Sequence, residues 1–525
     1  MNREEMILRM KTRTTPWDIV IIGGGAVGAG VAVDASSRGL DVLLVEREDF
    51  GKGTSSRATK LVHGGVRYLE QGNVSLVMEA LKERGLLLQN APHLVHDLPF
   101  VVPNYSWWEA PFYGIGMKVY DLLSGKYGFG KSRILSLTET LERLPTINQE
   151  GLRGGVLYHD GQFDDTRLLT HLMATAVDHG ATVVNYASAV ELIKDAEGFV
   201  TAVVVEDREA GESHTVGAKV VVNATGVFTD ETRRLANAEA QTMVSPSQGI
   251  HLVFDRSFLA SDNAIMVPHT SDGRVLFAIP WHDRTLVGTT DTPIDKPSYE
   301  PLPLEEEIEF VLETAGKYLS HPPTRADVLS VFVGIRPLVK AAGADNSKTS
   351  ALSRDHTIQI DPSGLLTIVG GKWTTYRHMA EDCVNHAITL GGLNDSPCVT
   401  FNLHIHGYKQ NFAELGALAV YGTDAAAIQE IAKAEPELGE RLHPDLPYIG
   451  AEIVWAARNE MSRTLDDALA RRTRALLLNA KAAVAIAPKV AGLLAKELGR
   501  DEEWQQEQIK SFTTLAQQYI LTRLP

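Results

Sequence analysis

The sequence predicts a mixed fold of the α/β plus α+β classes, with a parallel-sheet domain, an antiparallel-sheet domain and a C-terminal helical domain. Three observations predict it. The short apolar run 18–22 is followed by a glycine cluster and a helical segment of small residues. Apolar and polar residues alternate over about 245–345, which is typical of antiparallel strands. Beyond about residue 400, the spacing is helical and rich in Ala, Leu, Glu and Arg.

The parallel-sheet domain begins with a strand–helix–strand unit. Residues 18–22 form a continuous apolar run, which suits a strand that is covered on both faces. We predict a helix over 26–39 and a second strand over 41–45. Further strands are predicted at 182–185, 199–205, 213–216, 218–223 and 365–369, the second and third of them as a hairpin.

We predict that the domains interrupt one another along the chain. The first domain is expected to comprise 17–95, 150–240 and 346–395. The second is expected to comprise 96–149 and 241–345, with turns at 271–273 and 283–284. The helical domain is expected to comprise 400–525, after a boundary near 395–410.

The glycines Gly23, Gly25 and Gly28 have the spacing of a dinucleotide-binding turn between a strand and a helix. Glycines there allow a tight turn and a close approach of the backbone to a pyrophosphate, which faces the helix N-terminus. Glu46 ends the second predicted strand, where its carboxylate can accept hydrogen bonds from a ribose. These features together predict a Rossmann-like, dinucleotide-binding domain.

A second glycine segment, Asn223 to Gly226, ends another predicted strand. A glycine at the carboxyl end of a strand lets the backbone approach a bound cofactor. Following the first motif, this segment favours an FAD site over a simple NAD domain.

Composition excludes several classes of protein. Hydrophobic residues make up 44% of the 525 residues and charged residues 22%, so disorder is excluded as the main state. The formal charge of −16 argues against non-specific nucleic-acid binding. Two cysteines cannot form a disulfide framework, which indicates reduced thiols in the cytoplasm. No apolar run is long enough to predict a membrane-spanning helix.

Two further patterns are interpreted as structural. Residues 125–132 match the phosphate-binding loop pattern, but the preceding residues 117–123 are helical in spacing, so a polar loop is expected. His404 and His406 lie on a predicted strand without a third ligand nearby, so we expect no metal site.

Several segments together resemble the FAD-dependent glycerol-3-phosphate dehydrogenase family. They occur in the family's order over about 20–480. The segments are 54–70 (TSSRATKLVHGGVRYLE), 158–167 (YHDGQFDDTR), 287–292 (VGTTDT), 334–338 (GIRPL), 370–377 (GGKWTTYR) and 460–474 (EMSRTLDDALARRTR).

The resemblance implies an FAD domain, a substrate domain built on an antiparallel sheet, and a helical cap. It implies non-covalent FAD and the oxidation of sn-glycerol 3-phosphate to dihydroxyacetone phosphate, with electrons passed to a membrane quinone. We see neither the insertion that is usual in the oxygen-using oxidases nor a calcium-binding loop after the cap. We therefore expect a dehydrogenase of the bacterial type. The sequence leaves open whether the chain forms a homodimer.

The resemblance also implies the residues of the site. The substrate phosphate needs cationic partners, and arginine suits it because its fork is bidentate and always charged. The predicted substrate contacts are Arg67, Tyr68, Thr290, Arg336, Arg354 and Lys372. The predicted FAD contacts are Gly23, Gly25, Gly28, Glu46, Thr54, Ser55, Ser56, Lys60, Leu61, His63, Val190, Thr225, Gly226, Gly371, Lys372 and Thr374.

We predict His63, His251 and Arg336 as the catalytic residues. A neutral imidazole accepts a proton near pH 7, so either histidine suits the base that removes the hydroxyl proton. His63 is slightly preferred because it lies beside Gly64 and Gly65, where the backbone can approach a flavin.

Three alternatives stay open at this point. An oxygen-using glycerol-3-phosphate oxidase would share the same substrate site. An FAD-dependent amino-acid oxidase or dehydrogenase would share the fold but needs to hold only a carboxylate. A non-catalytic flavoprotein would not need the paired histidines and the several cations.

A quinone-reducing enzyme must contact the membrane, and we expect peripheral association with the inner face of the cytoplasmic membrane. Two regions are candidates for the contact. One is the basic N-terminus, with Arg3, Arg9, Lys11 and Arg13, and the other is the aromatic stretch 105–113. The alternative for Trp107 and Trp108 is packing in the core.

Overall fold

The computed structural model describes residues 1–66, 73–268, 270, 274–340 and 355–521. Its strands are β1 (Trp17–Ile22), β2 (Val42–Val45), β3 (Leu61–Val62), β4 (Val95–Asn104), β5 (Arg133–Leu135), β6 (Gly154–Phe163), β7 (Thr182–Val184), β8 (Ala187–Lys194), β9 (Val200–Asp207), β10 (Glu212–Asn223), β11 (Val244–Asp255), β12 (Ala264–Val267), β13 (Leu276–Trp281), β14 (Arg284–Gly288), β15 (Thr292–Pro293), β16 (Ser330–Val339), β17 (His356–Ile360) and β18 (Leu366–Gly370).

The α-helices are α1 (Arg3–Thr12), α2 (Ala26–Ser37), α3 (Val74–Asn90), α4 (Glu109–Ser124), α5 (Leu137–Arg143), α6 (Asp165–Asp178), α7 (Thr229–Ala236), α8 (Glu305–Tyr318), α9 (Tyr376–Gly391), α10 (Ala425–Ala434), α11 (Gly450–Asn459), α12 (Ala475–Leu478), α13 (Ala480–Leu498) and α14 (Glu502–Ala516). Among the residues named above as described, no helix is long and apolar enough to cross a bilayer.

The first sheet has a parallel centre in the order β18-β10-β1-β2-β7. Ile22 at the end of β1 pairs with Asn223 of β10 and with Val45 of β2, so the glycine turn, the second glycine segment and Glu46 meet at one edge. This edge holds the carboxyl ends of the strands, where open α/β sheets bind their ligands. The predicted strand–helix–strand unit and the hairpin of β9 and β10 are confirmed.

The second sheet follows the order β15-β11-β14-β13-β12-β4-β6-β3, with β16 paired to β11 and β5 paired to β6. Its pairings are antiparallel apart from β12 with β4, which confirms the predicted antiparallel sheet. Helix α8 packs on one face through Ile308, Val311 and Ala315. The C-terminal helices pack on the other face, so the sheet is covered on both sides.

The second sheet contains two segments that were predicted from the sequence to belong to the first domain. Strand β6 lies within 150–240 but pairs along its length with β4, and β3 lies within 17–95 but pairs with β6. These two segments therefore lie in the antiparallel sheet, because their backbone groups are paired there. The predicted turn at 271–273 lies outside the described residues, as do parts of the predicted ranges 346–395 and 400–525.

Candidate active site

The glycine turn after β1 is shaped for close backbone contact. Gly23 has a φ of +113°, and a β-carbon there would lie 2.6 Å from the carbonyl oxygen of Ala224. A β-carbon at Gly28 would collide with the carbonyl oxygen of Gly23. Helix α2 begins with Gly25 as its N-cap, so no side chain caps it there. The N-terminus of α2 beside the glycine turn favours an anionic ligand.

Glu46 is held at the end of β2 by two backbone donors. Its carboxylate accepts hydrogen bonds from the N–H of Gly24 at 2.6 Å and from the N–H of Glu48 at 2.8 Å. Burial raises the pKa of Glu46 to about 7. The carboxylate therefore has a fixed position next to the glycine turn, where the hydroxyl groups of a ribose can bind.

The second glycine segment lies against the first. Thr225 donates through Oγ1 to Oδ1 of Asn223 at 2.7 Å, which fixes the turn after β10. Gly226 has a φ of +59°, and a β-carbon there would meet no atom within 4 Å. A β-carbon at Gly53 would likewise meet no atom within 4 Å. The main chain is therefore open to close approach at both glycines, and we call the region beside the glycine turn the cofactor channel, because the carboxyl ends of the strands are where such a sheet binds its dinucleotide.

The segment 54–56 connects this channel to the second sheet. Ser55 accepts through Oγ a hydrogen bond from the N–H of Ala26 at 2.9 Å, at the start of α2. Thr54 donates through Oγ1 to the carbonyl of Ile335 on β16 at 2.6 Å. The predicted contacts Thr54, Ser55 and Ser56 therefore lie between the cofactor channel and the neighbour of Arg336.

The loop after β18 contacts the segment 54–63. Trp373 donates from its indole nitrogen to the carbonyl of Ser55 at 3.0 Å. The hydroxyl oxygen of Thr374 accepts from the N–H of His63 at 3.2 Å. The structure thus brings Gly371, Lys372 and Thr374 together with His63, although more than 300 residues of chain separate Thr374 from His63.

His251 lies buried on β11, beside the segment 54–63. Its ring stacks on Phe332 with centroids 4.9 Å apart, and its Nε2 lies 3.0 Å from the hydroxyl of Thr59. Within the described part of the chain, its Nδ1 has no hydrogen-bond partner. Burial, with the positive charges of Lys60 and Arg336, holds the pKa of His251 well below its ordinary value. The imidazole is therefore neutral, with one free nitrogen.

Arg336 lies on β16 opposite Ser247 of β11. Its Nη2 donates to the carbonyl of Thr290 at 3.0 Å, and its Nη1 lies 3.2 Å from Oδ1 of Asp291. A β-carbon at Gly249 would lie 2.7 Å from Nη2, so glycine is needed to admit the guanidinium. The Arg336 side chain is 25% exposed, so it is only partly buried.

For three predicted contacts, the structure shows interactions with other protein groups or a position in a strand. The hydroxyl of buried Thr290 donates to Glu307 at 2.8 Å and accepts from the N–H of Ile250 at 3.1 Å. The Nζ of Lys60 has no solvent exposure and binds Asp165 at 2.6 Å. Burial lowers the pKa of Lys60 to about 7. Val190 is the bulged residue of β8. Their contacts with substrate or FAD stay predictions.

The remaining predicted residues divide into two groups. Leu61 is buried at the start of β3, where it pairs with Gln162. Arg67, Tyr68 and Arg354 lie outside the described residues. Their proposed roles in binding the substrate stay predictions.

Thr59 contacts His251 and Asp291 contacts Arg336, and neither residue was predicted from the sequence as part of the site. Both lie inside the quoted segments 54–70 and 287–292, so position in a motif was the available signal. Threonine and aspartate are common residues, so their types alone did not indicate a place in the site.

The prediction that His404 and His406 lie on a strand was wrong. Both lie in an irregular segment, in which His406 begins a turn and contacts two acidic side chains. Its Nδ1 lies 2.6 Å from Asp178 of α6, and its Nε2 lies 3.0 Å from Asp424. The predicted helix before the phosphate-loop-like segment is confirmed as α4, so no strand precedes that segment.

The chain matches two protein-family models. The model described as FAD dependent oxidoreductase matches residues 18–377. The model described as the C-terminal domain of alpha-glycerophosphate oxidase matches residues 366–505. The two matches together span both sheets and most of the helical domain.

Curated relatives match nearly the whole chain. The mitochondrial glycerol-3-phosphate dehydrogenase of Homo sapiens is 39% identical over 544 residues, covering 97% of this chain and 74% of the relative. The mitochondrial enzyme of Arabidopsis thaliana is 40% identical over 549 residues, covering 97% of this chain and 87% of the relative.

Solved structures agree with these relatives. The glycerol-3-phosphate dehydrogenase from Bacillus halodurans, complexed with FAD, has a TM-score of 0.80 and 30% identity, covering 100% of this chain and 98% of that chain. The glycine oxidase from Geobacillus kaustophilus has a TM-score of 0.53 and 19% identity, covering 74% of this chain and 99% of that chain, and shares the fold alone. The family matches, the full-length identity and the cofactor channel agree: this chain belongs to the FAD-dependent glycerol-3-phosphate dehydrogenase family, and its cofactor is FAD.

Proposed function

We propose that the protein oxidises sn-glycerol 3-phosphate to dihydroxyacetone phosphate and passes the electrons to a membrane quinone. The observation that carries the reaction is the convergence of two side chains. Arg336 lies opposite Ser247 of β11, the strand that carries His251, and its guanidinium donates to the carbonyl of Thr290, two residues after the Gly288 that pairs with His251. A phosphate-binding group and a neutral base are what a phosphorylated alcohol requires.

Arg336 is the proposed phosphate ligand. Its guanidinium is already oriented by the carbonyl of Thr290 and by Asp291, so little side-chain entropy is lost on binding. Lys372 lies on the loop that meets His63 and is proposed as a second cation. Arg67, Tyr68 and Arg354 stay proposed substrate contacts from the resemblance.

The hydroxyl proton needs an acceptor close to the reacting carbon. His251 is neutral and has a free Nδ1, so it can accept that proton, and the resulting imidazolium is favoured by a dianionic substrate. Thr59, at 3.0 Å from Nε2, fixes the orientation of the ring. His63 is the alternative base. The residues around the glycine turn would hold FAD, which would supply the hydride acceptor for C2 of the substrate.

The proposed membrane contact is the aromatic stretch and the helix that follows it. Trp107 is 78% exposed and Trp108 is 45% exposed, so the core-packing alternative for these two residues was wrong. The exposed apolar side chains continue along α4 at a helical spacing. We define this membrane stripe as Trp108, Phe112, Ile115, Val119 and Leu122. Tryptophan at the edge of an apolar helix face is typical of residues at a lipid–water interface.

The basic N-terminus is not a free cationic surface. Arg3 binds Asp207, Lys11 binds Glu212 and Arg13 binds Asp41, each at 2.7 Å. Arg9 donates to the carbonyl of Gly180 at 2.8 Å. We therefore assign the proposed contact with the inner face of the cytoplasmic membrane to the membrane stripe alone. Homodimer formation stays a prediction.

The test is anaerobic reduction of the flavin spectrum of the purified protein. We expect sn-glycerol 3-phosphate to bleach it and a quinone analogue to restore it. Bleaching by an amino acid would instead support an amino-acid oxidase, and no bleaching by either substrate would contradict the proposal. Acid precipitation is expected to release FAD into the supernatant, since we propose that it is bound non-covalently.

A second candidate is an oxygen-using oxidase. The observation that favours it is the match of 366–505 to a domain model named after alpha-glycerophosphate oxidase. Rapid turnover with oxygen that yields one peroxide per substrate, and slow turnover with quinone analogues, would establish this candidate instead.

A further inference from the structure

Tyr299 and Phe228 form an aromatic pair between the two sheet domains. Their ring centroids lie 4.3 Å apart, and the ring planes are inclined at 25°. Tyr299 belongs to the linker between β15 and α8, whereas Phe228 lies two residues after Gly226. The stack therefore joins the linker of the second sheet to the second glycine segment of the first.

Tyr299 also contacts two residues of the first domain, Arg57 and Arg47. Its carbonyl accepts a hydrogen bond from Nη1 of Arg57 at 2.8 Å, next to the segment 54–56. The guanidinium carbon of Arg47 lies 5.7 Å from the Tyr299 ring centroid. Burial, followed by the negative charge of Glu46, raises the pKa of Tyr299 above its ordinary value. Because Arg47 directly follows Glu46, the ring lies close to the end of β2, where Glu46 is held.

These contacts surround the part of the channel that the ADP half of FAD requires. Gly25 and Ser55 lie at the proposed pyrophosphate position, Glu46 at the ribose, and Gly226 on the opposite side. Tyr299 contacts residues at three places around this region: its ring stacks on Phe228 after Gly226, its carbonyl accepts from Arg57, and its ring lies beside Arg47, which follows Glu46.

We infer that Tyr299 and Phe228 form a cover over the adenosine-diphosphate half of FAD. The two rings shield the pyrophosphate and ribose from water, which strengthens the hydrogen bonds made by the glycine turn and Glu46. The linker of the second sheet thereby contributes to cofactor affinity. The inference concerns the cofactor and does not depend on the proposed substrate or electron acceptor.

The experiment measures FAD that is released from the diluted holoenzyme, by absorbance of the filtrate after ultrafiltration. We expect Tyr299→Leu to raise the dissociation constant for FAD about tenfold, the upper range for a lost aromatic pair. Phe228→Leu is expected to act in the same direction from the other domain. Tyr299→Phe keeps the ring and is expected to retain FAD like the unchanged protein.

ADP identifies the half of the cofactor that the pair covers. Because ADP occupies only that half, we expect the affinity for ADP to fall as much as the affinity for FAD, so the ratio of the two dissociation constants stays the same. We therefore expect the concentration of ADP that displaces half of the FAD to be nearly unchanged in Tyr299→Leu, whereas riboflavin displaces FAD at a lower concentration than from the unchanged protein.

The matched control is Tyr318→Leu. Tyr318 pairs with Tyr105 at a centroid distance of 5.8 Å, and Tyr105 donates to the carbonyl of Asn148 within the second domain. We expect this variant to retain FAD. The inference is overturned if Tyr299→Leu and Phe228→Leu both retain FAD within about twofold of the unchanged protein. It is also overturned if Tyr318→Leu or Tyr299→Phe releases FAD as readily as Tyr299→Leu.

Discussion

Arg472 binds Asp49 through two parallel hydrogen bonds of 2.7 Å, and neither side chain is exposed by more than 1%. Arg471 adds a third hydrogen bond to Asp49 at 2.6 Å. Burial alone would raise the pKa of Asp49, but the two guanidinium groups outweigh it and hold the pKa below its ordinary value. This pair fastens the segment before α12 to the loop after β2.

Asp49→Ala is expected to lower the apparent free energy of unfolding by about 3–5 kcal/mol, because it removes the buried carboxylate that two buried guanidinium groups share. Urea unfolding of the holoenzyme measures the change. Asp262→Ala is the matched control, since it removes an 89% exposed partner of Arg256 and is expected to cost at most about 1 kcal/mol. Equal effects of the two variants would refute the stabilising role of Asp49.

Arg336→Ala is expected to reduce kcat/KM for sn-glycerol 3-phosphate at least about tenfold, since a charge-assisted hydrogen bond to phosphate contributes about 1.5–3 kcal/mol. FAD content, measured by absorbance, is expected to be unchanged. Lys372→Ala is expected to lose activity as well and to bind FAD more weakly. The control is Arg256→Ala, a partly exposed arginine that pairs with Asp262. Unchanged kinetics of Arg336→Ala would remove this residue from the site.

His251→Ala is expected to lower kcat by about 10²–10⁴-fold, the usual contribution of a positioned general base. FAD content and the circular dichroism spectrum are expected to be retained. Stopped-flow reduction of the flavin measures the chemical step directly. If His63→Ala slows that step to this extent while His251→Ala does not, then His63 is the base.

His406 is expected to make stability depend on pH at alkaline values. Its contacts with Asp178 and Asp424 raise the pKa of the folded imidazole to about 10, above the ordinary value of 6.5. The contribution to stability is therefore complete below about pH 6.5 and is lost as the pH rises through about 10. The urea midpoints of the unchanged protein and His406→Gln should differ most near pH 6 and converge above pH 10. A difference that does not vary with pH would contradict this assignment.

The double variant Ile115→Asp/Leu122→Asp is expected to bind anionic lipid vesicles at least about tenfold more weakly, since each side chain would lose about 1.5–3 kcal/mol of burial. Vesicle co-sedimentation measures the binding, and activity with a soluble acceptor is expected to be unchanged. Phe199→Asp is the control, because Phe199 is similarly exposed but lies just before β9 in the first sheet. Equal vesicle binding by all three proteins would argue against the membrane stripe.

Local features of the chain were sufficient to predict the strands and helices around the cofactor. The glycine turn, α2 and β2 follow from residue spacing and from glycines that can adopt positive φ. The antiparallel sheet follows from alternation along 245–345. The prediction that β6 belongs with the first domain differs from the observed sheet, because pairing between β4 and β6 joins residues that are distant in the sequence.

The sequence by itself determined the cofactor turn and the family motifs, because these depend on neighbouring residues and on backbone preference. Only the tertiary structure decided which side chains share a site. The register of β11 against β16 places Arg336 near His251, and the fold pairs Arg3 with Asp207 and His406 with Asp178. Pairing and burial determine whether a charged side chain is free to bind a ligand or is already neutralised, and both arise from contacts between distant segments.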